Sequence, residues 1–399
     1  MKNNRLYKFI LLWSIFPVFL VYSGLTVWNL TTNIIINVIF IVSLCIVSKR
    51  TYNIAKPLAK NILIVYVALL FITLLRSFFE LNGRDSIVFF SKFGGAAFVY
   101  MFVFVFQDLK NVSEFYRIYY KYAIPLFFIL AYFMPVGTWG WILTPIYLTM
   151  IFYRSIPLKY RFFIVALFIM SFIDLDTRAN FGRAMSFVAC WILLTFNKTI
   201  PQFKSMVRAT SLLLFILPII FLILGLVGKF NIFQYTGDAD DVMFADTRTL
   251  VYEETVKSAL NNDYVLYGRS FAHGYDSSFE VQFMKLGNAD TAERYAEVCI
   301  CNIFTWMGLV GLIIYAFVIF AAIYYALFKS RNIYMMVIGL LLSTRWIVNF
   351  IEDINNIDPL NISLFMLIAL CLNPRLLNMN DSEFINTMKS ILIPKVRRL

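Results

Sequence analysis

The sequence predicts an all-α polytopic membrane protein with about twelve transmembrane helices and one large outer loop. Three observations predict it. Of the 399 residues, 61% are hydrophobic and 18% aromatic, with a mean hydropathy of +0.75, far outside the usage of soluble domains. Apolar runs near the length of a bilayer crossing recur along the whole chain. The junctions between them alternate in charge, as the enrichment of Lys and Arg in cytoplasmic loops requires.

Taken in order, the runs cover 7–28, 31–48, 61–78, 87–106, 120–135, 140–153, 160–173, 181–197, 209–228, 299–328, 332–350 and 359–373. With the N-terminus inside, every second junction is expected to be basic. Lys49, Arg50, Lys56 and Lys60 follow the second run, and Lys110, Arg117 and Lys121 follow the fourth. Arg154, Lys159 and Arg161 follow the sixth, Lys198, Lys204 and Arg208 the eighth, and Lys329 and Arg331 the tenth. The tail carries Arg375, Lys389, Lys395, Arg397 and Arg398, which places both termini in the cytoplasm. The net charge of +12, from 35 basic and 23 acidic residues, is therefore read as a topology signal beside anionic lipid, with no nucleic-acid partner. Lys2, Arg5 and Lys8 before the first run imitate a signal peptide, but no small-residue cleavage site follows, so the run is read as a retained span. Cys45, Cys190 and Cys371 fall inside runs while Cys299 and Cys301 open another, which predicts neither a disulfide framework nor a zinc site. The chain thus divides into spans one to nine over 1–228, an outer loop over 229–298, spans ten to twelve over 299–373 and a basic tail over 374–399.

The outer loop, roughly 70 residues long, is small for an independent domain but sufficient for a few helices over the membrane surface. It carries Arg248 and the chain's single histidine, His273. Leu250, Val251, Val256 and Leu260 among polar neighbours predict a short amphipathic helix over 246–260, and Gly268 and Gly274 then break the pattern. Cations gather on the same side. Arg76 ends the third run, Lys92 lies near the start of the fourth, Arg178 and Arg183 open the eighth, and Arg345 sits in the outer part of the eleventh, with Arg84 and Arg248 in outer loops. They run against the positive-inside bias. Pairing with Glu80, Asp85, Asp174, Asp176, Glu352 and Asp353, or snorkelling to headgroups, accounts for single cations. An anionic ligand at the outer surface is the better account of the group, and the planar fork of arginine suits a phosphate.

The string Asp176-Thr177-Arg178-Ala179-Asn180-Phe181-Gly182-Arg183 resembles the Ser/Thr-Arg-small motif of the bacterial O-antigen polymerase and ligase superfamily. Asp246-Thr247-Arg248-Thr249, then a helix, then Tyr267-Gly268-Arg269-Ser270, is similar to that superfamily's large outer loop. Ala296-Glu297, ten residues and Gly308-Leu309-Val310-Gly311 resemble the element leading into the next span. The overall architecture agrees over nearly the whole chain. Ligases of the superfamily typically place a His eleven residues before the first of those glycines, where this chain has Glu297, a departure that moves the resemblance toward the polymerases.

The resemblance implies a GT-C-like glycosyltransferase of the bacterial inner membrane, working on its periplasmic side without cofactor. Donor and acceptor would both be oligosaccharides linked to undecaprenyl diphosphate, with membrane lipids around them and a separate chain-length regulator as a possible partner. Arg178 and Arg248, supported by Arg183 and Arg345, are the candidates for holding the diphosphate, whose charge grows in the transition state. Glu297 is the first candidate for accepting the proton of the attacking hydroxyl, His273 the second and Asp176 the third. Glu297 has an equally good structural reading, pairing with Arg294 or Arg248. Tyr252, Tyr264, Tyr267, Tyr275 and Tyr295 are candidates for stacking on sugars or anchoring at the interface. Asp174-Leu175-Asp176 and Asp238-Ala239-Asp240 have the spacing of a divalent-cation site, but no metal is expected, because the arginines already serve the diphosphate. Two rival activities remain. A ligase transferring the glycan to lipid A core differs in acceptor, and a lipid-linked oligosaccharide flippase would need internal repeats and polar groups at mid-membrane.

Overall fold

The computed structural model describes residues 3–16, 18–19, 38, 41–46, 57–80, 96–174, 178–226, 247–278, 292–353 and 357–392. Arg84, Asp85, Lys92, Asp176 and the Asp238-Ala239-Asp240 string lie outside them. Helix makes up about 79% of the described residues, with one two-stranded ribbon of sheet. The chain is an all-α membrane protein.

Before the loop come α1 (Asn3–Trp13), α2 (Pro57–Glu80), α3 (Ala96–Val99), α4 (Phe102–Val105), α5 (Leu109–Ile118), α6 (Ile124–Leu130), α7 (Trp139–Leu143), α8 (Ile146–Ile151), α9 (Leu158–Met170), α10 (Arg178–Thr195) and α11 (Phe203–Leu226). The loop holds α12 (Thr247–Asn261), β1 (Tyr275–Ser277) and β2 (Ala292–Arg294). After it follow α13 (Cys299–Tyr324), α14 (Ile333–Val348), α15 (Pro359–Cys371), α16 (Pro374–Asn378) and α17 (Asp381–Leu392). Three described helices are long and apolar enough to cross a bilayer: Pro57–Glu80, Phe203–Leu224 and Cys299–Lys329. Ala179–Thr195, Ile333–Val348 and Pro359–Cys371 are apolar but shorter.

The central helix is α14, which packs on α10, α11, α13 and α15. Its Trp346 indole donates to the Phe215 carbonyl at 2.9 Å, satisfying the one polar atom of a ring that is otherwise buried. Helix α13 packs along α2, where Tyr66 meets Tyr315 and Tyr100 with ring centroids 5.7 and 5.0 Å apart. Several expected spans are broken helices. Pro145 divides the run over 140–153, since its ring removes a backbone donor. Hydroxyls take up the local carbonyls: Tyr116 donates to Pro145 at 2.8 Å and Tyr119 to Ile142 at 2.9 Å.

The two ends of the bundle differ. At one end α17 packs on α5 and α14, α1 joins α5, and Phe152 stacks on Tyr334 at 5.6 Å. Helix α17 opens with a capping box in which the Glu383 amide donates to Asn380 Oδ1 at 2.9 Å and the Asn380 amide to Glu383 Oε2 at 3.0 Å. Its Phe384, Met388, Ile391 and Leu392 are buried at helical spacing, so much of the basic tail is a docked amphipathic helix. At the other end the outer loop covers the last turn of α2 and the segment after α14. The sequence predicts only helices in this loop; the structure adds the antiparallel ribbon, with Tyr275 opposite Arg294, Asp276 opposite Glu293 and Ser277 opposite Ala292.

Helix α13 breaks at Gly308, whose φ of 66° and ψ of −166° belong to a region that only glycine occupies readily. The break frees backbone groups that need partners. The turn after α12 supplies them: Arg269 and Ser270 donate to the Thr305 and Trp306 carbonyls at 2.7 and 3.2 Å, and Leu309 and Val310 donate to Val265 and Leu266 at 2.8 and 3.3 Å. Gly268, with φ of 69°, sits at the same crossing, and a Cβ there would run into the backbone of Trp306 and Met307. From Leu309 to Lys329 the helix rises about 31 Å at 1.5 Å per residue, the thickness of a bilayer's hydrocarbon core.

Candidate functional site

The segment Phe350–Glu352, just after α14, is where the candidate residues converge. The Tyr252 hydroxyl of α12 donates to the Phe350 carbonyl at 2.7 Å. The Cys299 amide, opening α13, donates to the Glu352 carbonyl at 3.0 Å, and the Ile300 amide to Asn349 at 3.2 Å. From α10, Arg183 pairs with the Glu352 carboxylate and also donates to Asn180 Oδ1. Asn180 in turn donates to the Gly137 carbonyl at 2.6 Å, so a single chain of bonds fixes the Arg183 side chain, which is 1% exposed.

Arg345 lies one turn before the end of α14, within electrostatic reach of Arg183, Glu352, Tyr147 and Asp358. It is buried, yet both terminal guanidinium nitrogens lack a hydrogen-bond partner among the described residues. A cation that is desolvated and left unpaired is costly, so its retention calls for a ligand or water that completes it. Nearby, Asp358 caps α15 by accepting from the Asn361 amide at 2.8 Å, ahead of Pro359 at the first helical position.

Arg178 opens α10 and Arg248 is the second residue of α12; their side chains lie outside those described. Both helices begin at this end of the bundle. Val251, one turn after Arg248, is buried with Val298, Ile300 and Phe350, and Arg183 lies between one and two turns after Arg178. Glu297 stands two residues before Cys299, with its carboxylate 62% exposed and 3.4 Å from Arg294. The structure thus brings Arg183 and Arg345 together, while α10 and α12 begin at the same end of the bundle and Glu297 contacts Arg294.

His273 is elsewhere. Its Nδ1 is 2.9 Å from Glu293, and its Nε2 is 3.8 Å from Glu80 at the end of α2. Successive side chains of a strand face opposite ways, so Glu293 with His273 and Arg294 with Glu297 occupy opposite faces of the ribbon. The hydrogen bond to Glu293 holds the imidazole pKa above its ordinary value of 6.5. Four of the five loop tyrosines are structural. Tyr252 is tied to Phe350, Tyr264 donates to Ser258 Oγ at 2.7 Å, Tyr295 donates to Ala272 at 3.0 Å, and Tyr275 is 1% exposed. Tyr267 alone of the five is exposed, at 66%.

No protein-family model, curated protein or solved structure matches the chain.

Asn180, Glu352 and Asp358 complete the cluster and were not singled out as site residues from sequence. Asn180 and Arg183 share a helix face at i, i+3, and Asp358-Pro359 carries the signature of a helix start; both signals are readable in hindsight. The Arg183–Glu352 pair spans 169 positions and has no local signal. Among the described residues, no group of three or more His, Cys, Asp or Glu side chains is placed to hold a metal ion.

Proposed function

We propose that the protein is a membrane glycosyltransferase of the O-antigen polymerase type, with about twelve spans and a GT-C-like architecture. It transfers a polyprenyl-diphosphate-linked glycan onto a sugar hydroxyl of a second lipid-linked repeat unit, at the periplasmic face of the bacterial inner membrane. The observation that carries the reading is the Arg183–Arg345 cluster, buried at the loop end of the bundle, with the two terminal nitrogens of Arg345 left without acceptors among the described residues. A diphosphate offers acceptors in the geometry that a guanidinium fork fits.

In this reading Arg345, Arg183, Arg178 and Arg248 hold the diphosphate of the donor. The acceptor hydroxyl oxygen attacks the anomeric carbon, a new C–O bond forms, and the bond from that carbon to the diphosphate oxygen breaks. The electron pair leaves with the polyprenyl diphosphate, whose growing charge the arginines stabilise from fixed positions. The hydroxyl proton passes to Glu297, whose carboxylate is exposed just before α13 opens. His273, tied to Glu293 on the other face of the ribbon, takes no part in this step.

The test is incubation of the purified protein in nanodiscs with its host's lipid-diphosphate-linked repeat unit. A ladder of repeat multiples supports the polymerase. Transfer only when lipid A core is supplied makes the protein a ligase, and movement of the lipid across the bilayer without transfer makes it a flippase.

A further inference from the structure

A second, open cavity of about 750 Å³ lies away from the arginine cluster, between the last turn of α2 and the turn after α12. Its lining includes Arg76, Glu80, Asp263, Tyr267, Arg269 and His273. The size falls in the range of small-molecule sites. The wall is rigid: Arg76 donates to the Tyr267 and Gly268 carbonyls at 3.2 and 3.1 Å, and Ser270 donates its hydroxyl to Glu80. The Phe271 amide donates to Ser77 Oγ at 2.9 Å.

The charges of the wall indicate what it takes. Each cation is matched: Arg76 lies 3.7 Å from Glu80, Arg269 2.7 Å from Asp276, and His273 2.9 Å from Glu293. No cation is left over to call for an anion, and so polar a wall does not suit an apolar occupant. The lining also holds the exposed Asp263 and Tyr267, beside His273, whose Nε2 lies 3.8 Å from Glu80. An acceptor for paired hydroxyls, a donor and a flat apolar face are together the requirements of a sugar.

Asp263 closes α12 with φ of 54°, in the left-handed conformation where helices usually place glycine. The Tyr264 amide completes the turn by donating to Ala259 at 3.1 Å. Glycine adopts this shape without penalty, and aspartate is among the few other residues that enter it routinely.

We infer that this cavity binds a saccharide, with Asp263 accepting from ring hydroxyls and Tyr267 packing on the sugar's C–H face. It deepens the proposed function by giving the acceptor glycan a place, and it rests on that reading only for which glycan is bound. Being bounded by Glu80, the last residue of a membrane-length helix, the cavity is positioned for a glycan still attached to lipid as well as for a free one.

The test uses the full chain in nanodiscs, with Asp263→Gly and Tyr267→Ala as variants. Binding of the host's repeat-unit oligosaccharide is titrated in two arms, one lipid-free and one lipid-linked, and thermal midpoints are recorded. Asp263→Gly removes the backbone penalty and is expected to keep or raise the midpoint while weakening glycan binding about tenfold, the loss expected for a hydrogen bond to a charged group. In polymerisation it is expected to raise KM for the acceptor with kcat held. Loss in both arms supports a site for the sugar alone, and loss only in the lipid-linked arm supports a glycolipid head-group site. Wild-type binding that neither variant weakens overturns the inference even if a ladder forms. Binding lost in the variants while the wild type makes no ladder upholds the cavity and overturns the polymerase.

Discussion

Arg345 keeps a positive charge where no described protein group accepts its terminal hydrogen bonds, whereas Arg183, one helix away, bonds Glu352 and Asn180. The two arginines should therefore respond oppositely to substitution. Arg345→Met replaces an unpaired buried cation with an apolar chain of similar reach, and is expected to leave stability unchanged or raise it by up to about 2 kcal/mol. Arg183→Ala strands Glu352 and is expected to cost about 3–5 kcal/mol. Thermal unfolding in detergent reads both. Equal losses would mean that Arg345 has partners of its own. For His273 the sign follows from its raised pKa: the stabilisation it gains from Glu293 is fully present below 6.5 and is lost as pH rises through the higher folded value. The gap in thermal midpoint between wild type and His273→Gln should be widest in mild acid and close on the alkaline side. A gap that ignores pH would leave the bond without an ionic part.

At the level of elements, the amphipathic helix over 246–260 and the apolar runs after it were legible because their signals are local: helical spacing in α12 and continuous apolar stretches in α13 to α15. The crossing of Gly268 and Gly308 was half legible. Both glycines stood out as motif elements, but their contact joins positions forty residues apart, and nothing local records it. The ribbon gave no signal, since Tyr275–Ser277 and Ala292–Arg294 are three residues each and lack apolar alternation. The crossing is also the element most sensitive to a single methyl group. Gly308→Ala is expected to destabilise by about 1–3 kcal/mol, because it strains the backbone and displaces four interchain-segment hydrogen bonds. Protease sensitivity of the outer loop should rise with it, while Gly182→Ala, where an added Cβ meets nothing within 4 Å, serves as the silent control. Loop cleavage at the wild-type rate in Gly308→Ala would show that the crossing does not hold the loop.

Over the whole molecule, one end gathers α1, α5, α17 and the turn near Phe152, and the other gathers the outer loop, the last turn of α2 and the arginine cluster. The all-α membrane class could be read before any contact was known, because composition and apolar runs carry it. The site could not be read as fully, because it is made where α10, α12, α13 and α14 meet, and such meetings are set by packing between distant segments. A cluster that already carries its positive charge in protein side chains needs no divalent ion to receive a diphosphate, so polymer formation is expected to survive EDTA unchanged. Loss of product with EDTA and recovery with magnesium would show otherwise.

The most direct measurement compares the ladder formed from lipid-diphosphate-linked repeat units by nanodisc-reconstituted wild type and Arg345→Met, at equal amounts of folded protein. The account predicts a ladder of repeat multiples from the wild type and none from the variant, with the variant's thermal midpoint equal or higher. A full ladder from Arg345→Met, or none from the wild type, would contradict it.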